Sequence, residues 1–205
     1  MYYGCSVCGF KTINNHSDLV QNKAMRYFLG VNKLTPIAAL QGEMGWHPSI
    51  YGKYLCMLRL WNRIIKLPND RLTKSIFTVD YERSSLNKNW CSDIKTVFEQ
   101  LDRVEILCSK AICNISECKS KMTDIAALEW TQIIQDKPKL RTYVQFKISM
   151  IVSDYVKNST NRYKRSILAK FRSGILQLRI ESGRYSNTKV EERLCELCNL
   201  NEVEY

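Results

Sequence analysis

The stretch MRYFLGVNKLTPIAALQGEMGWHPSIYGKYLCMLRLW, residues 25–61, decides the fold because it contains the clearest helix start and stop signals in the chain. Gly30 is placed to end a helix that begins near Ser17, since a glycine commonly follows the last helical residue. Pro36 and Pro48 predict the starts of two further helices, because a proline at the first helical position loses no hydrogen bond. The stretch therefore predicts three consecutive helices separated by short breaks.

The third of these helices has the most regular amphipathic pattern in the chain. Its apolar residues recur at three- and four-residue spacing and form one stripe, which consists of Tyr54, Met57, Leu58, Trp61, Ile64 and Ile65. Arg59, Arg63 and Lys66 fall on the other side of the helix, and Pro68 closes it. The same spacing predicts further helices at about 70–82, 90–101, 123–135 and 161–173.

The composition is that of a globular protein with a core. The chain has 205 residues, of which 45% are hydrophobic, enough for one large domain or two small ones. Together with the helical periodicity, this predicts a mainly α-helical fold: an irregular helical bundle, for which two small helical subdomains are one arrangement. Partial alternation at 140–147 also allows a minor strand element. Residues 107–121 are less periodic, so we expect a flexible connection there.

Positive charge is concentrated in one part of the chain. The net charge is +11, and residues 136–190 contain thirteen basic residues against three acidic ones. A concentrated positive field favours a polyanion partner, most simply the phosphates of nucleic acid. The alternative is a solvated basic face that only maintains solubility.

The helix predicted at 161–173 has two contrasting faces. Arg162, Arg165 and Arg172 fall on one face and form a row of guanidinium groups. The opposite face is apolar and is expected to form core; it consists of Tyr163, Ile167, Leu168 and Phe171. The sequence therefore predicts that this helix turns its arginines towards a polyanion.

Neither a leader peptide nor a membrane span is expected. The opening MYYGCSVCGF lacks the charged start and apolar run of a signal peptide, and no apolar run approaches the roughly 18 residues that span a bilayer. The sequence therefore predicts a soluble intracellular protein, nuclear or cytoplasmic, with no membrane partner. Nine cysteines in such a chain are expected to be reduced thiols rather than a disulfide framework.

No catalytic constellation is visible in the sequence. Asp80 and Asp154 are isolated, whereas phosphoryl transfer by two metal ions needs clustered carboxylates. The chain contains no G-x-S-x-G, phosphate-loop or H-E-x-x-H motif. A cysteine and a histidine could always be paired on paper, but no spacing selects one pair. We therefore expect that this chain is not an enzyme.

Several short phrases occur in an order that resembles one known family. They are Q-N-x-A-x-R-x-x-L-G at 21–30, P-x-x-A-L-x-G-x-x-G-W-x-P at 36–48 and R-x-W-N-R at 59–63. This series resembles the region that follows the polymerase core in LINE-type (non-LTR) retrotransposon reverse transcriptases. The resemblance covers nearly all of the chain and is strongest at 20–81 and 164–198. It implies thumb-like helices beyond the catalytic core of an RNA-directed DNA polymerase, without the polymerase chemistry itself.

Two phrases near the end of the chain fit the same resemblance. LRIESGRY at 178–185 and RLCELC at 193–198 are similar to the family's L-x-I-E-T/S-G-R-Y/F and R-x-C-x-x-C. In that family the two cysteines begin a zinc knuckle, so the resemblance implies Cys195 and Cys198 as an incomplete metal site. Two thiolates do not give the closed coordination of structural zinc. No cofactor is therefore certain, and zinc would need donors from another chain or from a distant histidine.

The resemblance also implies a division of the chain and a function. The segments would be the end of a polymerase domain at 1–16, a thumb-like helical subdomain at 17–106, a connector at 107–139, a basic helical subdomain at 140–190 and a truncated zinc-knuckle start at 191–205. The implied function is non-catalytic binding of the RNA and DNA template-primer backbone, beside the polymerase core of the intact parent protein. The residues expected to contact nucleic acid are Arg141, Lys147, Arg162, Arg165, Lys170, Arg172, Arg179 and Arg184, with Tyr185 as a stacking residue.

Two other classes of function are open at this point. The first is a small helical protein-interaction module, or a non-functional remnant of a decayed mobile element, whose basic surface would be incidental. Separately, thumb-like helices without the polymerase core would expose an apolar face, which would encourage self-association. The second is a cysteine-dependent enzyme, which would require a thiol with a depressed pKa.

Overall fold

The structure is a computed structural model that describes residues 4–8, 16–84, 88–176, 178–179, 183 and 186–194. These residues form eleven α-helices and two short 3-10 helices, so the prediction of a mainly α-helical, irregular bundle is confirmed. In chain order the α-helices are α1 Cys5–Cys8, α2 His16–Leu29, α3 Ile37–Met44, α4 Ser49–Ile65, α5 Leu72–Glu82, α6 Trp90–Gln100, α7 Val104–Ser109, α8 Ile115–Asp136, α9 Arg141–Phe146, α10 Asp154–Asn158 and α11 Arg162–Arg172. The 3-10 helices are Pro138–Leu140 and Val190–Glu192.

The ends of α2, α3 and α4 follow the signals read in the sequence. Gly30, directly after α2, has a φ of 66°, and Gly45, directly after α3, has a φ of 61°. This left-handed region favours glycine because it has no Cβ. Pro36 and Pro48 directly precede α3 and α4. The three consecutive helices predicted from this stretch are therefore present.

The chain divides into two compact units, each built from two separate parts of the sequence. The first unit comprises Met1–Gln21 and His47–Leu128, and the second unit comprises Asn22–Trp46 and Glu129–Tyr205. The predicted segments were continuous and placed a connector at 107–139. In the structure much of that segment is helical, since α7 ends at Ser109 and α8 begins at Ile115.

The core of the first unit is centred on α4. The apolar stripe predicted for this helix is buried at Tyr54, Met57, Leu58, Trp61 and Ile64. The Trp61 ring meets Phe77 of α5 and Phe98 of α6 edge-on, with centroid distances of 5.6 Å and 5.3 Å. Such edge-to-face pairs add to the stabilisation from burial alone. The four helices α4 to α7, with the start of α8, pack around this cluster.

In the second unit, two large rings pack against α3. Trp130 of α8 donates from Nε1 to the carbonyl oxygen of Ala38 at 2.7 Å, and the Tyr143 hydroxyl of α9 donates to that of Ala39 at 3.2 Å. Gly42, on the same helix, makes this approach possible. A Cβ at Gly42 would lie 2.5 Å from Cζ2 of Trp130 and closer still to the Tyr143 hydroxyl.

Replacing Gly42 with alanine is expected to destabilise the second unit by about 1–3 kcal/mol, because the added methyl must displace two buried rings. This outweighs the roughly 1 kcal/mol by which alanine favours a helix over glycine. Urea denaturation followed by circular dichroism would measure the change. Gln41→Ala, at the preceding half-buried position, is the control and should stay within about 0.5 kcal/mol of wild type. Equal denaturation midpoints for the two variants would contradict the close approach.

The expectation of a minor strand at 140–147 is wrong. These residues complete the 3-10 helix Pro138–Leu140 and form α9, which runs over Arg141–Phe146. Leu140, Tyr143 and Lys147 are buried at three- and four-residue spacing, which is a helical period.

Candidate nucleic-acid interface

A cleft with a positively charged lining lies in the second unit, between the second half of α2 and α11. Its volume is about 500 Å³. We call it the basic cleft, and its lining residues are Lys23, Arg26, Tyr27, Gly30, Val31, Asn32, Arg162 and Lys170. Four of these eight residues are cationic and none is acidic, so the cleft is suited to an anion.

The helical repeat explains why these side chains meet. Lys23, Arg26, Tyr27 and Gly30 are separated by three, four and seven positions, so they share one face of α2 and its C-terminal end. Arg162 begins α11 and Lys170 lies two turns later. The two helices thus bring the cations together from parts of the chain that are far apart in sequence.

The spacing between the two helices is set at Gly30. The hydroxyl of Ser166, in the middle of α11, donates to the Gly30 carbonyl oxygen at 2.7 Å. A Cβ at Gly30 would lie 2.9 Å from the Cβ of Ser166, and the positive φ of Gly30 also disfavours any other residue. The end of α2 is therefore held directly against α11, and Gly30 itself lines the basic cleft.

The cations of the basic cleft are available to a ligand. None of Lys23, Arg26, Arg162 and Lys170 forms an ion pair with a carboxylate of the described residues. The Nε of Arg26 is buried and has no hydrogen-bond partner among them. The four side chains are thus not neutralised by a neighbouring carboxylate, which leaves their charge for a bound anion.

The lining of the basic cleft includes the aromatic ring of Tyr27. Tyr27 is 72% exposed, and the guanidinium carbon of Arg162 lies 4.7 Å from its ring centroid. This distance is within the range of a cation–π interaction, which holds the guanidinium beside the ring. The basic cleft thus places an open aromatic surface next to its cations.

The predicted row of arginines does not face solvent as a whole. Arg162 is exposed and lines the basic cleft, but Arg165 is only 8% exposed. Arg165 donates from Nε to the Phe28 carbonyl oxygen and from Nη1 to that of Ser159, each at 2.9 Å. Its guanidinium also lies over the Phe28 ring. Arg165 therefore joins α11 to α2 and is not placed to reach a phosphate.

Arg172 is occupied by an ion pair. Its Nε donates to Oε1 of Glu43 at 2.9 Å, and Glu43 is fully buried in α3. Two phenols, Tyr143 and Tyr155, share this environment: burial raises the pKa of each, and the Glu43 carboxylate raises both pKa values further. Glu43 thus balances the charge of Arg172 inside the second unit.

The remaining predicted site residues differ in their surroundings. Lys147 is buried and donates from Nζ to the Ile151 carbonyl oxygen at 2.6 Å and to Oγ of Ser153 at 2.8 Å, and burial lowers its pKa. Arg141 and Arg179 are exposed outside the basic cleft, and Lys170 is half-buried within it. Arg184, Tyr185, Cys195 and Cys198 lie outside the described residues.

The prediction that the apolar face of α11 forms core is wrong. Tyr163 is 74% exposed, and Ile167, Leu168 and Phe171 are exposed as well. The helix packs instead through Arg165, Ala169 and Ser173, which recur every four residues and are buried. The small Ala169 allows close approach, and the bonds of Arg165 to main-chain carbonyls replace its hydration.

Sequence reasoning missed Lys23, Arg26 and Tyr27 as site residues. Their shared face on the predicted helix near Ser17 was a usable signal. A count of basic residues along the chain does not reveal it, because the excess lies at 136–190 and α2 is outside that segment.

Four of the described thiols are buried: Cys5, Cys91, Cys113 and Cys118. Burial raises the pKa of Cys5 to about 11 and that of Cys113 to about 12, and it also raises the pKa of Cys91. A thiol with a raised pKa stays protonated at neutral pH and is a poor nucleophile. Within the described part of the chain, no group of three or more His, Cys, Asp or Glu residues is placed to hold a metal ion.

Comparisons with protein-family models, curated proteins and solved structures found no match to the chain. Of the helices in the described ranges, none is both long and apolar enough to cross a membrane. The basic cleft is the feature of the second unit that bears on function.

Proposed function

We propose that the chain binds nucleic acid without catalysing a reaction on it, and that backbone phosphates occupy the basic cleft. The observation that carries this proposal is the convergence of Lys23, Arg26, Arg162 and Lys170 on one cleft whose lining contains no carboxylate. Lysine and arginine contacts to phosphate supply most of the affinity of sequence-independent binding and release counterions. Binding with little sequence discrimination is therefore expected.

The proposed phosphate contacts differ from those expected from the sequence. Arg162 and Lys170 are proposed to contact phosphate in both cases, and Lys23 and Arg26 are added. Three other predicted residues, Lys147, Arg165 and Arg172, already bond to carbonyl, hydroxyl or carboxylate oxygens of the protein. Removing any of these three would test folding rather than phosphate contact.

As part of the same proposal, the chain derives from the C-terminal region of a LINE-type reverse transcriptase. The support is the order of the phrases at 21–30, 36–48 and 59–63. The neighbouring genomic sequence tests this origin. An upstream frame with clustered catalytic aspartates and a downstream histidine and cysteine are expected, and an intact locus lacking both would contradict it.

The double variant Arg162→Ala/Lys170→Ala should bind nucleic acid more weakly, whatever the sequence. If each side chain neutralises one phosphate, the negative slope of log affinity against log salt concentration should become shallower by about 2. Fluorescence anisotropy with a labelled single-stranded oligonucleotide, titrated at several salt concentrations, would measure both affinity and slope. A mixed-sequence set of oligonucleotides would show whether the loss is uniform.

A matched control removes the same amount of charge elsewhere on the second unit. Lys137→Ala/Lys189→Ala changes two exposed lysines that do not line the basic cleft, and it should alter the salt slope much less. Equal losses in the two double variants would assign binding to the general positive field instead of the cleft. Absence of binding by the wild-type chain at low salt would refute the proposed function itself.

A second candidate function, a helical protein-interaction module, is favoured by one observation. Beside the exposed apolar residues of α11 lies an open cavity of about 430 Å³ whose lining includes Phe146, Ile148, Ile151 and Leu168. Exposed apolar patches mark protein contacts. Sedimentation of the nuclease-treated chain tests this candidate: a concentration-dependent dimer would support it, and a monomer at every concentration would count against self-association through α11.

A further inference from the structure

We infer that the basic cleft selects single-stranded over double-stranded nucleic acid, because one unpaired base stacks on Tyr27 while the adjoining phosphates contact the cations. This inference rests on the proposed function and adds a preference for strand form to it. It concerns Tyr27, Arg162, Lys23 and Lys170, all of which line the basic cleft.

The position of the Tyr27 ring is the first argument. A tyrosine side chain that packs in a core is buried, but Tyr27 is 72% exposed although it lies within α2 and beside a cleft. The Arg162 guanidinium lies 4.7 Å from the ring centroid, so the ring is held next to a cation. An aromatic surface beside cations is the arrangement on which bases of single strands stack, since every base has a π-face.

The size of the basic cleft is the second argument. Its volume of about 500 Å³ lies within the roughly 300–1,000 Å³ of pockets that enclose small ligands. A single base with its phosphate is of this kind, whereas a double helix, whose major groove alone is about 12 Å wide, is too bulky to enter. A paired base could reach Tyr27 only after leaving its stack, and unstacking is unfavourable.

Charge placement is the third argument. Lys23 and Tyr27 are one turn apart on α2, and Arg162 contacts the Tyr27 ring from α11. A base on Tyr27 would therefore have cations on both helices within reach of the phosphates that flank it. Arg26 adds a further cation to the lining of the same cleft.

Binding of a short single-stranded oligonucleotide, its blunt duplex and an abasic strand of equal length tests the inference. Tyr27→Leu removes the ring, and we expect it to weaken binding of the single strand by about 5- to 100-fold with little effect on the duplex or abasic strand. Tyr27→Phe keeps the ring and should bind like wild type. Circular dichroism checks that both variants, altered at an exposed position, retain the helical fold.

The outcomes separate this inference from the function on which it rests. Equal binding of single strand and duplex by the wild-type chain would overturn the inference and leave the proposed function intact. An equal loss for all three ligands in Tyr27→Leu would also overturn it, because the ring would then act only by positioning Arg162. If none of the three ligands binds at low salt, the proposed function fails as well.

Discussion

Replacing Arg172 with methionine is expected to destabilise the second unit by about 3–5 kcal/mol, because it removes the ion-pair partner of the buried Glu43 carboxylate. In the wild-type chain Glu43 is fully buried, and its Oε1 accepts from Nε of Arg172 at 2.9 Å. Methionine keeps much of the apolar stem of arginine, so the main change is the lost charge. A lower urea midpoint, followed by far-UV circular dichroism, would report the effect.

The double variant Glu43→Leu/Arg172→Met distinguishes charge from packing. It removes both members of the ion pair, and apolar replacement of a buried pair is often neutral or stabilising. We therefore expect it to recover most of the stability that Arg172→Met loses. A double variant as unstable as the single one would assign the loss to packing or to the bond from Arg172 to the Phe146 carbonyl oxygen. A single variant with wild-type stability would contradict the structural role of the pair.

The position of Arg172 shows where sequence reasoning reached its limit. Helix α11 was predicted at 161–173 and runs over Arg162–Arg172, because capping and periodicity are local properties. The side chain of Asn161 accepts from the backbone N–H groups of Tyr163 and Lys164, which fixes the start of the helix. The face that this helix buries depends instead on distant partners, namely Glu43 for Arg172 and Phe28 for Arg165.

The candidate site likewise combines local features that the sequence shows with tertiary contacts that it does not. The sequence indicated a basic chain, and Arg162 and Lys170 do line the basic cleft. Lys23 and Tyr27 could have been grouped by their spacing on α2, but their approach to α11 depends on the contact between Gly30 and Ser166. A count of charges along the chain cannot reveal such a tertiary contact. It also cannot separate a ligand-binding arginine from one that satisfies main-chain carbonyls.

Replacing Trp61 with alanine is expected to cost the first unit about 3–5 kcal/mol, because a fully buried ring is removed from the centre of its core. The variant loses the edge-to-face contacts with Phe77 and Phe98. It also loses the hydrogen bond from Nε1 to the Ala111 carbonyl oxygen, which is 2.9 Å long. Trp61 lies at the end of the stretch from which the fold was predicted, so this variant tests the predicted apolar stripe directly.

Leu72→Ala is the matched control for Trp61→Ala, since Leu72 is a large apolar residue of the same unit that is exposed at the start of α5. Its removal should change the free energy of unfolding by no more than about 0.5 kcal/mol. Trp61→Phe keeps an aromatic ring but not the indole N–H. Its loss of unfolding free energy should therefore lie between those of Leu72→Ala and Trp61→Ala. Similar urea midpoints for Trp61→Ala and Leu72→Ala would mean that α4 does not organise the core. Since the stripe of α4 was the most regular helical pattern in the sequence, that result would also remove the physical basis for predicting this fold from periodicity.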